Sequence, residues 1–236
     1  MPHEPVAAYQ HNGAGMYSIA AGVDSLPALG ANLFPDKSGA SFRVWAPNAS
    51  AVNVRLSPNA AQALQPFPLS ADPTNPGYWS AGITGVAAGH LYQFEITNRG
   101  GDKYDPGGVP FLRIDPAARQ VQSSDRRVPG FVLDPTTFTW KSSFPTPSFE
   151  NFIIYQAHVG TFAGRGDGLP VVTDSNGSTA SFADVAAKLG YIRSMNFNAV
   201  QFLPNGEYRG SEGEAYNPSN YYAPESLYGS PDDLRR

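Results

Sequence analysis

The chain has 236 residues, of which 41% are hydrophobic, and it carries a formal net charge of -4. This length and composition suit one or two packed globular domains. The 16 basic residues are spread thinly along the chain, so no cationic surface for nucleic acid is indicated. Cysteine is absent, which excludes disulfides, iron–sulfur clusters and thiolate zinc sites. We therefore predict no nucleic-acid partner, no metal and no cofactor.

The sequence also predicts no membrane association. No apolar run approaches the roughly 18 residues that a membrane-spanning helix needs. The N-terminus, Met1-Pro2-His3-Glu4-Pro5, has neither the basic region nor the apolar region of a signal peptide. These features favour a cytoplasmic location.

The first half of the chain has the pattern of an all-β domain. Residues 1–33 are rich in Ala, Gly and Pro and are predicted to be a leader that is partly disordered. Four short segments with alternating polar and apolar residues follow, separated by turn-forming Gly, Pro and Asn. Antiparallel sheets with one solvated face produce this alternation. Residues 34–145 are therefore predicted to form an immunoglobulin-like β-sandwich. The alternating segments are residues 41–45, 52–56, 77–83 and 91–97.

The pattern changes after a Pro-rich seam at residues 144–148. Residues 152–155 are a continuous apolar run, which is typical of a strand buried on both faces of a parallel sheet, and residues 199–203 are predicted to be the next buried strand. A helical pattern lies between them. This order predicts a β-α-β unit with a right-handed crossover.

The intervening helix is expected to begin at a capping box formed by Ser181 and Asp184. Apolar residues then recur at helical spacing and predict one buried stripe. Gly190 interrupts the helix, and we expect it to permit close packing. The residues of the stripe are Phe182, Val185, Leu189 and Ile192.

A second helix is predicted to begin at Ser230. This residue is a good N-cap, Pro231 suits the first helical position, and the acidic Asp232 and Asp233 complement the helix dipole. The sequence ends about one and a half turns later, without a Gly or Asn stop signal. We therefore expect the chain to be the front part of a longer protein.

Several motifs together suggest a family. The segments Tyr-Gln-Ala-His-Val-Gly-Thr-Phe (155–162) and Phe-Asn-Ala-Val-Gln-Phe-Leu-Pro (197–204) resemble the first two barrel strands of glycoside hydrolase family 13. Residues 216–234 resemble the loop and helix that follow. The segment Phe-Arg-Val-Trp-Ala-Pro (42–47) resembles the start of the family 48 carbohydrate-binding module. That module precedes the barrel in branching enzymes, isoamylases and trehalohydrolases. The resemblance covers roughly residues 40–236.

This resemblance implies a fold and a chemistry. Residues 146–236 would be the first two βα units of a truncated (β/α)8 TIM barrel. The parent would cleave α-1,4-linked glucans with retention, using an Asp nucleophile, a Glu acid/base and a second Asp. In the family these three residues lie on later strands, so we predict no catalytic residue in this chain and no activity of the chain alone.

Several functions remain open for the parent. A 1,4-α-glucan branching enzyme is favoured, with an α-glucan such as glycogen, starch or a maltooligosaccharide as the partner. The alternatives are a malto-oligosyltrehalose trehalohydrolase, in which Val-Gly-Thr-Phe (159–162) is common, an isoamylase-type debranching enzyme, or a non-catalytic glucan-binding module. The chain also departs from the family pattern. Ala215 stands where Trp-Gly-Tyr would place Gly, Glu214 stands in place of Trp, and Gln156 stands where Glu is frequent.

Tyr216 is the predicted substrate-binding residue. The resemblance places it as a stacking platform under the sugar at the cleavage site, and an aromatic face suits the C–H face of a pyranose. Trp45 and Trp79 could be similar platforms in the sandwich. Because each lies within a strand pattern, we expect both to pack in the core.

The polar candidates near the strand ends are predicted to be structural. Glu207, Glu212 and Glu214 follow the second strand, on the side where barrels place catalytic groups. They could form a rim contact or an improvised acid/base pair, but solvated charge on a surface loop is the favoured interpretation. His158 follows the first strand, and we expect a hydrogen-bonded structural histidine rather than a metal ligand or a base.

Overall fold

The computed structural model describes residues 17–20, 27–101, 107–123, 128–141, 143, 145–162, 179–209 and 216–236. These residues divide into two compact units. The first comprises the described residues up to Asp134 except Ser123, and the second comprises Ser123 and those from Pro135 onward. Most of the predicted leader lies outside the described residues. The predicted domain limits at residues 33/34 and 145/146 stay predictions.

The first unit is built from two antiparallel sheets. One sheet has the order β1-β7-β3-β2 with β6 also paired to β7, and the other has the order β10-β8-β4-β5 with β9 paired to β8. The strands are β1 (Ser18–Ile19), β2 (Gly30–Leu33), β3 (Gly39–Trp45), β4 (Ala49–Ser57), β5 (Gln65–Pro68), β6 (Ser70–Ala71), β7 (Tyr78–Thr84), β8 (Leu91–Asn98), β9 (Phe111–Arg113) and β10 (Gly130–Phe131).

The two sheets pack face to face, as the alternation of residue types predicted. Phe42 of β3 meets Tyr92 of β8 across the sandwich, with ring centroids 5.4 Å apart. Successive side chains of a strand point to opposite faces, so every second residue of β4 from Val52 to Leu56 is buried in this core. The four alternating segments of the sequence correspond to β3, β4, β7 and β8, and the predicted β-sandwich is confirmed. Its fully buried members include Phe42, Val52, Val54, Leu56, Ile83 and Phe94.

The outer face of the first sheet carries a tryptophan that was expected in the core. Trp45 is 59% exposed, so the expectation that it packs in the core is wrong. Trp45 lies at the end of β3 on the same face as Arg43, whereas Val44 points inward. Trp79 lies opposite Val44 in the sheet and is half-buried, and its indole N–H donates to the carbonyl oxygen of Ala46 at 3.1 Å.

The second unit contains a parallel strand pair and an antiparallel hairpin. Strands β11 and β12 pair in parallel from Ile154↔Ala199 to Ala157↔Phe202, and α2 lies between them in the chain. The predicted parallel β-α-β unit is thus confirmed, and its extension into a (β/α)8 barrel stays a prediction. The elements are a 3-10 helix (Phe149–Asn151), β11 (Ile154–Ala157), α1 (Val159–Phe162), α2 (Phe182–Ser194), β12 (Ala199–Phe202), β13 (Gly206–Tyr208), β14 (Pro218–Pro224) and α3 (Pro231–Arg235).

Both helix starts are formed as predicted. Ser181 caps α2 and accepts from the backbone N–H of Asp184, whose carboxylate accepts from the backbone N–H of Ser181. Ser230 and Asp233 form the same reciprocal capping box at α3. Each box satisfies two backbone donors that the first turn would otherwise leave unpaired.

The predicted burial of the second unit is wrong at several positions. Ile153 and Ile154 are 53% and 46% exposed, because β11 has one neighbouring strand in the described part of the chain. In the helical stripe Leu189 is exposed, although Phe182, Val185 and Ile192 are buried. Gly190 has open space around the position of a Cβ atom, so it does not serve close packing here.

Candidate functional site

The two parallel strands end at the same edge of the sheet, and the polar candidates gather there. His158 follows the last residue of β11 and is half-buried. Its Nε2 lies 3.1 Å from the hydroxyl of Tyr228, and its Nδ1 lies 3.0 Å from the hydroxyl of Thr161. Both ring nitrogens therefore have hydrogen-bond partners within the protein, as expected for a structural histidine, and the structural role of His158 stays a prediction.

Two buried tyrosines connect this histidine to the hairpin. Tyr228 is 1% exposed and Tyr208 is 3% exposed, and both belong to the small core of the unit with Val159, Phe182 and Val185. Their hydroxyl oxygens are 3.5 Å apart. Burial raises the pKa of the Tyr228 hydroxyl far above its ordinary value, so this hydroxyl keeps its proton and can donate.

The base of the hairpin holds two buried carboxylates. Glu207 lies in β13 and Glu225 directly follows β14, and each is 1% exposed. Glu207 accepts from the backbone N–H of Ser226 at 2.7 Å and from its hydroxyl at 3.1 Å. Glu225 accepts from the backbone N–H groups of Tyr208 at 3.0 Å and Leu227 at 3.1 Å. The prediction that Glu207 is a solvated surface charge is wrong.

The electrostatics of this pair follow from its burial. The pKa of Glu207 is raised to about 7, chiefly by burial and also by the negative charge of Glu225, while the hydrogen bonds from Ser226 oppose the rise. Burial also raises the pKa of Glu225, while the backbone N–H groups of Tyr208 and Leu227 oppose this rise. Two buried like charges disfavour each other's ionisation. Because both carboxyls are enclosed and bound to the backbone, they hold the hairpin together and are not free to attack a sugar.

Tyr216 lies just before β14, in the segment that connects β13 to β14. It is 61% exposed, so its ring is accessible to a ligand. Tyr221 and Tyr222 of β14 are also exposed, at 79% and 69%. Glu212 and Glu214 lie outside the described residues. The stacking role of Tyr216 stays a prediction.

Sequence reasoning missed Glu225, Tyr208 and Tyr228 as partners at this site. The pairing of β13 with β14 is irregular, with register shifts on both sides of Glu207. Regular alternation therefore could not show that Glu207 and Glu225 would meet.

Among the residues that the structure describes, no group of three or more His, Asp or Glu side chains could hold a metal ion. Over the same residues, no helix is both long and apolar enough to cross a membrane.

The first unit is similar to a known protein family. Residues 28–118 match the family Carbohydrate-binding module 48 (Isoamylase N-terminal domain). This part of the chain is therefore similar to a family 48 carbohydrate-binding module. This match spans β2 to β9 and includes the outer face with Trp45. It confirms the resemblance that residues 42–47 suggested.

The similarity continues through the second unit. The chain is 33% identical to a 1,4-alpha-glucan branching enzyme of Marinobacter nauticus over 88% of its length, and 30% identical to one of Lactiplantibacillus plantarum over 93%. It covers 31% and 32% of those relatives, so it spans about a third of their length. The resemblance to the N-terminal portion of glycoside hydrolase family 13 enzymes is thus confirmed.

Solved structures agree in fold. The Group B Streptococcus pullulanase SAP superposes with a TM-score of 0.68 over 89% of this chain and 30% of that chain, at 20% identity. The catalytic module of the glycogen-degrading pneumococcal virulence factor SpuA gives a TM-score of 0.68 over 89% of this chain and 34% of that chain, at 19% identity. At these identities the likeness concerns the fold alone.

Proposed function

We propose that this chain is the N-terminal part of an enzyme that acts on α-1,4-linked glucans, with 1,4-α-glucan branching enzyme as the favoured activity. The observation that carries the proposal is the extent of the similarity. Alignment with branching enzymes covers 88% and 93% of the chain in the two relatives above, so it includes both units rather than the carbohydrate-binding module alone. A non-catalytic module would need no such second unit.

The site supports this proposal through its architecture. In a (β/α)8 barrel, substrate-binding residues lie at the carboxyl ends of the strands. His158 and the hairpin of β13 and β14 occupy that end of the parallel pair, and the hairpin carries the exposed Tyr216. We assign residues 34–145 to the carbohydrate-binding module, residues 146–236 to the start of the catalytic barrel, and α-glucan as the partner. The cytoplasmic location stays a prediction.

The chain alone is expected to have no glycosidase or transferase activity. Retaining catalysis needs two functional carboxyls about 5 to 5.5 Å apart around the scissile bond. Glu207 and Glu225 are buried and bound to backbone N–H groups, so they do not meet this need. Purified chain incubated with amylose should therefore leave the reducing ends and the iodine colour unchanged. Turnover at the rate of a complete enzyme would contradict this expectation.

The activity itself is tested with the protein encoded by the whole gene. Incubation with amylose should create α-1,6 linkages, seen as new anomeric signals by proton NMR, with few new reducing ends. Release of trehalose from maltooligosyl trehalose would instead establish a trehalohydrolase, and loss of α-1,6 signals from glycogen would establish a debranching enzyme. Binding of glycogen without any change in linkage would establish the non-catalytic module.

A further inference from the structure

The first described residues are fastened to the sandwich through one aromatic side chain, that of Tyr17. Tyr17 is 6% exposed, and its ring packs edge-on against the rings of Phe67 and His90, with both centroid distances at 5.7 Å. The strand that follows, β1, pairs with the end of β7, and the backbone N–H of Ala20 donates to the carbonyl oxygen of Gly82 at 2.7 Å. The Tyr17 side chain therefore anchors β1 at the edge of the first sheet.

The hydrogen bonds of His90 fix which of its ring nitrogens carries the proton. The backbone N–H of Ala87 donates to Nδ1 at 3.2 Å, so Nδ1 is an unprotonated acceptor. The hydroxyl oxygen of Tyr17 lies 3.0 Å from the same nitrogen and hydrogen-bonds it as a donor. Burial raises the pKa of this hydroxyl to about 12, so the proton that it donates is retained. His90 is therefore neutral, with its proton on Nε2.

The turn around His90 holds the imidazole ring in this orientation. The backbone N–H of His90 donates to the carbonyl oxygen of Ala87 at 3.2 Å, so two hydrogen bonds join these residues. On the other side, Val132 accepts from the N–H of Gly89 and donates to the carbonyl oxygen of His90, both at 2.8 Å. The acceptor nitrogen is thus held ready for the Tyr17 hydroxyl by the backbone of the sandwich.

Protonation of His90 is incompatible with this contact. A protonated ring that stayed in place would donate to the Tyr17 hydroxyl only by setting its new N–H against the N–H of Ala87. A ring that rotates to relieve this conflict takes Nδ1 away from Tyr17. Either way the docked arrangement loses a hydrogen bond, and a polar group buried without its partner is unfavourable. Protonation therefore favours release of Tyr17.

The elements packed around this contact carry little other charge. β1, β5 and residues 85–89 contain no Asp, Glu, Lys or Arg. The segment after β10 carries Asp134, whose carboxylate lies 2.7 Å from the ammonium of Lys37. The charge of His90 is therefore governed by its own hydrogen bonds and by its burial.

We propose that His90 is a pH-sensitive catch for the N-terminal strand, which holds Tyr17 and β1 on the sheet when neutral and releases them when protonated. Release uncovers Phe67, which is 6% exposed beneath Tyr17, and the edge of β7 from Gly82 to Thr84. The catch lies within the β-sandwich and does not depend on the proposed activity on glucans.

The direction of the pH dependence follows from proton linkage. Burial lowers the pKa of His90 from its ordinary value of 6.5, so the docked state binds fewer protons than the released state. Docking is therefore strongest above about pH 6.5 and weakens as the pH falls below it, by at most tenfold per pH unit. The weakening stops once the docked ring is protonated as well.

Residue-resolved hydrogen exchange of the whole 236-residue chain at pH 7.5 and 5.5 measures the catch. The reporter is the backbone N–H of Ala20, which donates to Gly82 when β1 is docked. After correction for the intrinsic pH dependence of exchange, its opening equilibrium should rise several-fold, and at most about tenfold, at the lower pH. His90→Gln should abolish this rise, because an uncharged amide oxygen accepts from the same donors at either pH. His158→Gln is the matched control, since it removes a half-buried histidine of the second unit and should keep the full rise.

A second variant keeps the test decisive if His90→Gln already opens at pH 7.5. Tyr17→Phe keeps the ring contact with Phe67 but lacks the hydroxyl, so it should open more easily at pH 7.5 and respond less to acid. A rise in both variants as large as in the unsubstituted chain overturns the proposal. So does the absence of a rise in the unsubstituted chain, or an equal loss of the rise in His158→Gln. Loss of protection at Val54 in the sandwich core at pH 5.5 would also overturn it, because the whole sandwich would then be unfolding.

Discussion

Glu207 and Glu225 each accept a hydrogen bond from the backbone N–H of the residue that follows the other. Glu207 accepts from Ser226 at 2.7 Å, and Glu225 accepts from Tyr208 at 3.0 Å. This reciprocal arrangement, which we call the glutamate clasp, joins the two ends of the hairpin that carries Tyr216. Its four acceptor contacts replace regular ladder pairing at a point where the register of β13 and β14 is broken. The clasp therefore fixes the base of the candidate binding loop.

The clasp should make the second unit less stable as the pH rises. The pKa of Glu207 is raised from 4.5 to about 7 in the folded state, so the folded state binds more protons than the unfolded state between these values. The stabilising contribution of protonated Glu207 is complete below pH 4.5 and is lost as the pH rises through 7. Glu207→Gln mimics the protonated form. At pH 8 this variant should be more stable than the unsubstituted chain by up to about 3 kcal/mol, and near pH 5 this difference should fall below about 1 kcal/mol.

Urea unfolding at pH 5 and pH 8 measures this difference. Glu150→Gln is a suitable control, because Glu150 is exposed in the same unit and should give no pH-dependent difference over this range. Asp115 of the first unit also has a pKa raised by burial, to about 6, and its effect is common to all these variants. A Glu207→Gln chain that is less stable at both pH values would show that the ionised carboxylate is the stabilising form.

Tyr216 should matter for activity and not for folding. In the protein encoded by the whole gene, Tyr216→Ala should lower kcat/KM on amylose by roughly tenfold or more, because an aromatic contact to the sugar is lost. The melting temperature should not change, since the ring is 61% exposed. Tyr191→Ala is the matched control, because Tyr191 is also 61% exposed but lies on α2. Equal activity of both variants would remove Tyr216 from the site.

The sequence predicted four strands of the sandwich, the parallel pair, the capping box at Ser181 and the N-cap at Ser230, because these patterns involve residues close together in the chain. It did not predict what depends on distant neighbours. Whether Ile154 or Leu189 is buried depends on which strands and helices surround it, and an apolar run cannot show this. Trp45 follows the same alternation as its strand, yet its face is the outer one. The clasp arises from an irregular register that no periodic pattern encodes.

The two units should differ in stability when the chain is isolated. The sandwich has a continuous core, whereas the second unit has a small core and leaves Ile153 and Ile154 exposed. Local opening is easier where few apolar contacts are buried. Amide hydrogen exchange should be slow in residues 41–97 and faster after about residue 150. Equal protection of both units in a monomeric sample at low concentration would instead establish the second unit as an independently stable domain.

The most direct test of the account is the sequence that the gene encodes after Arg236. If the chain is the N-terminal part of an α-glucan branching enzyme, translation should continue from α3 into further alternating strands and helices. Those strands should end in the Asp nucleophile, the Glu acid/base and the second Asp that retaining chemistry requires. A stop codon after Arg236, or a continuation without these carboxylates, would contradict the proposal and leave a glucan-binding protein without catalysis.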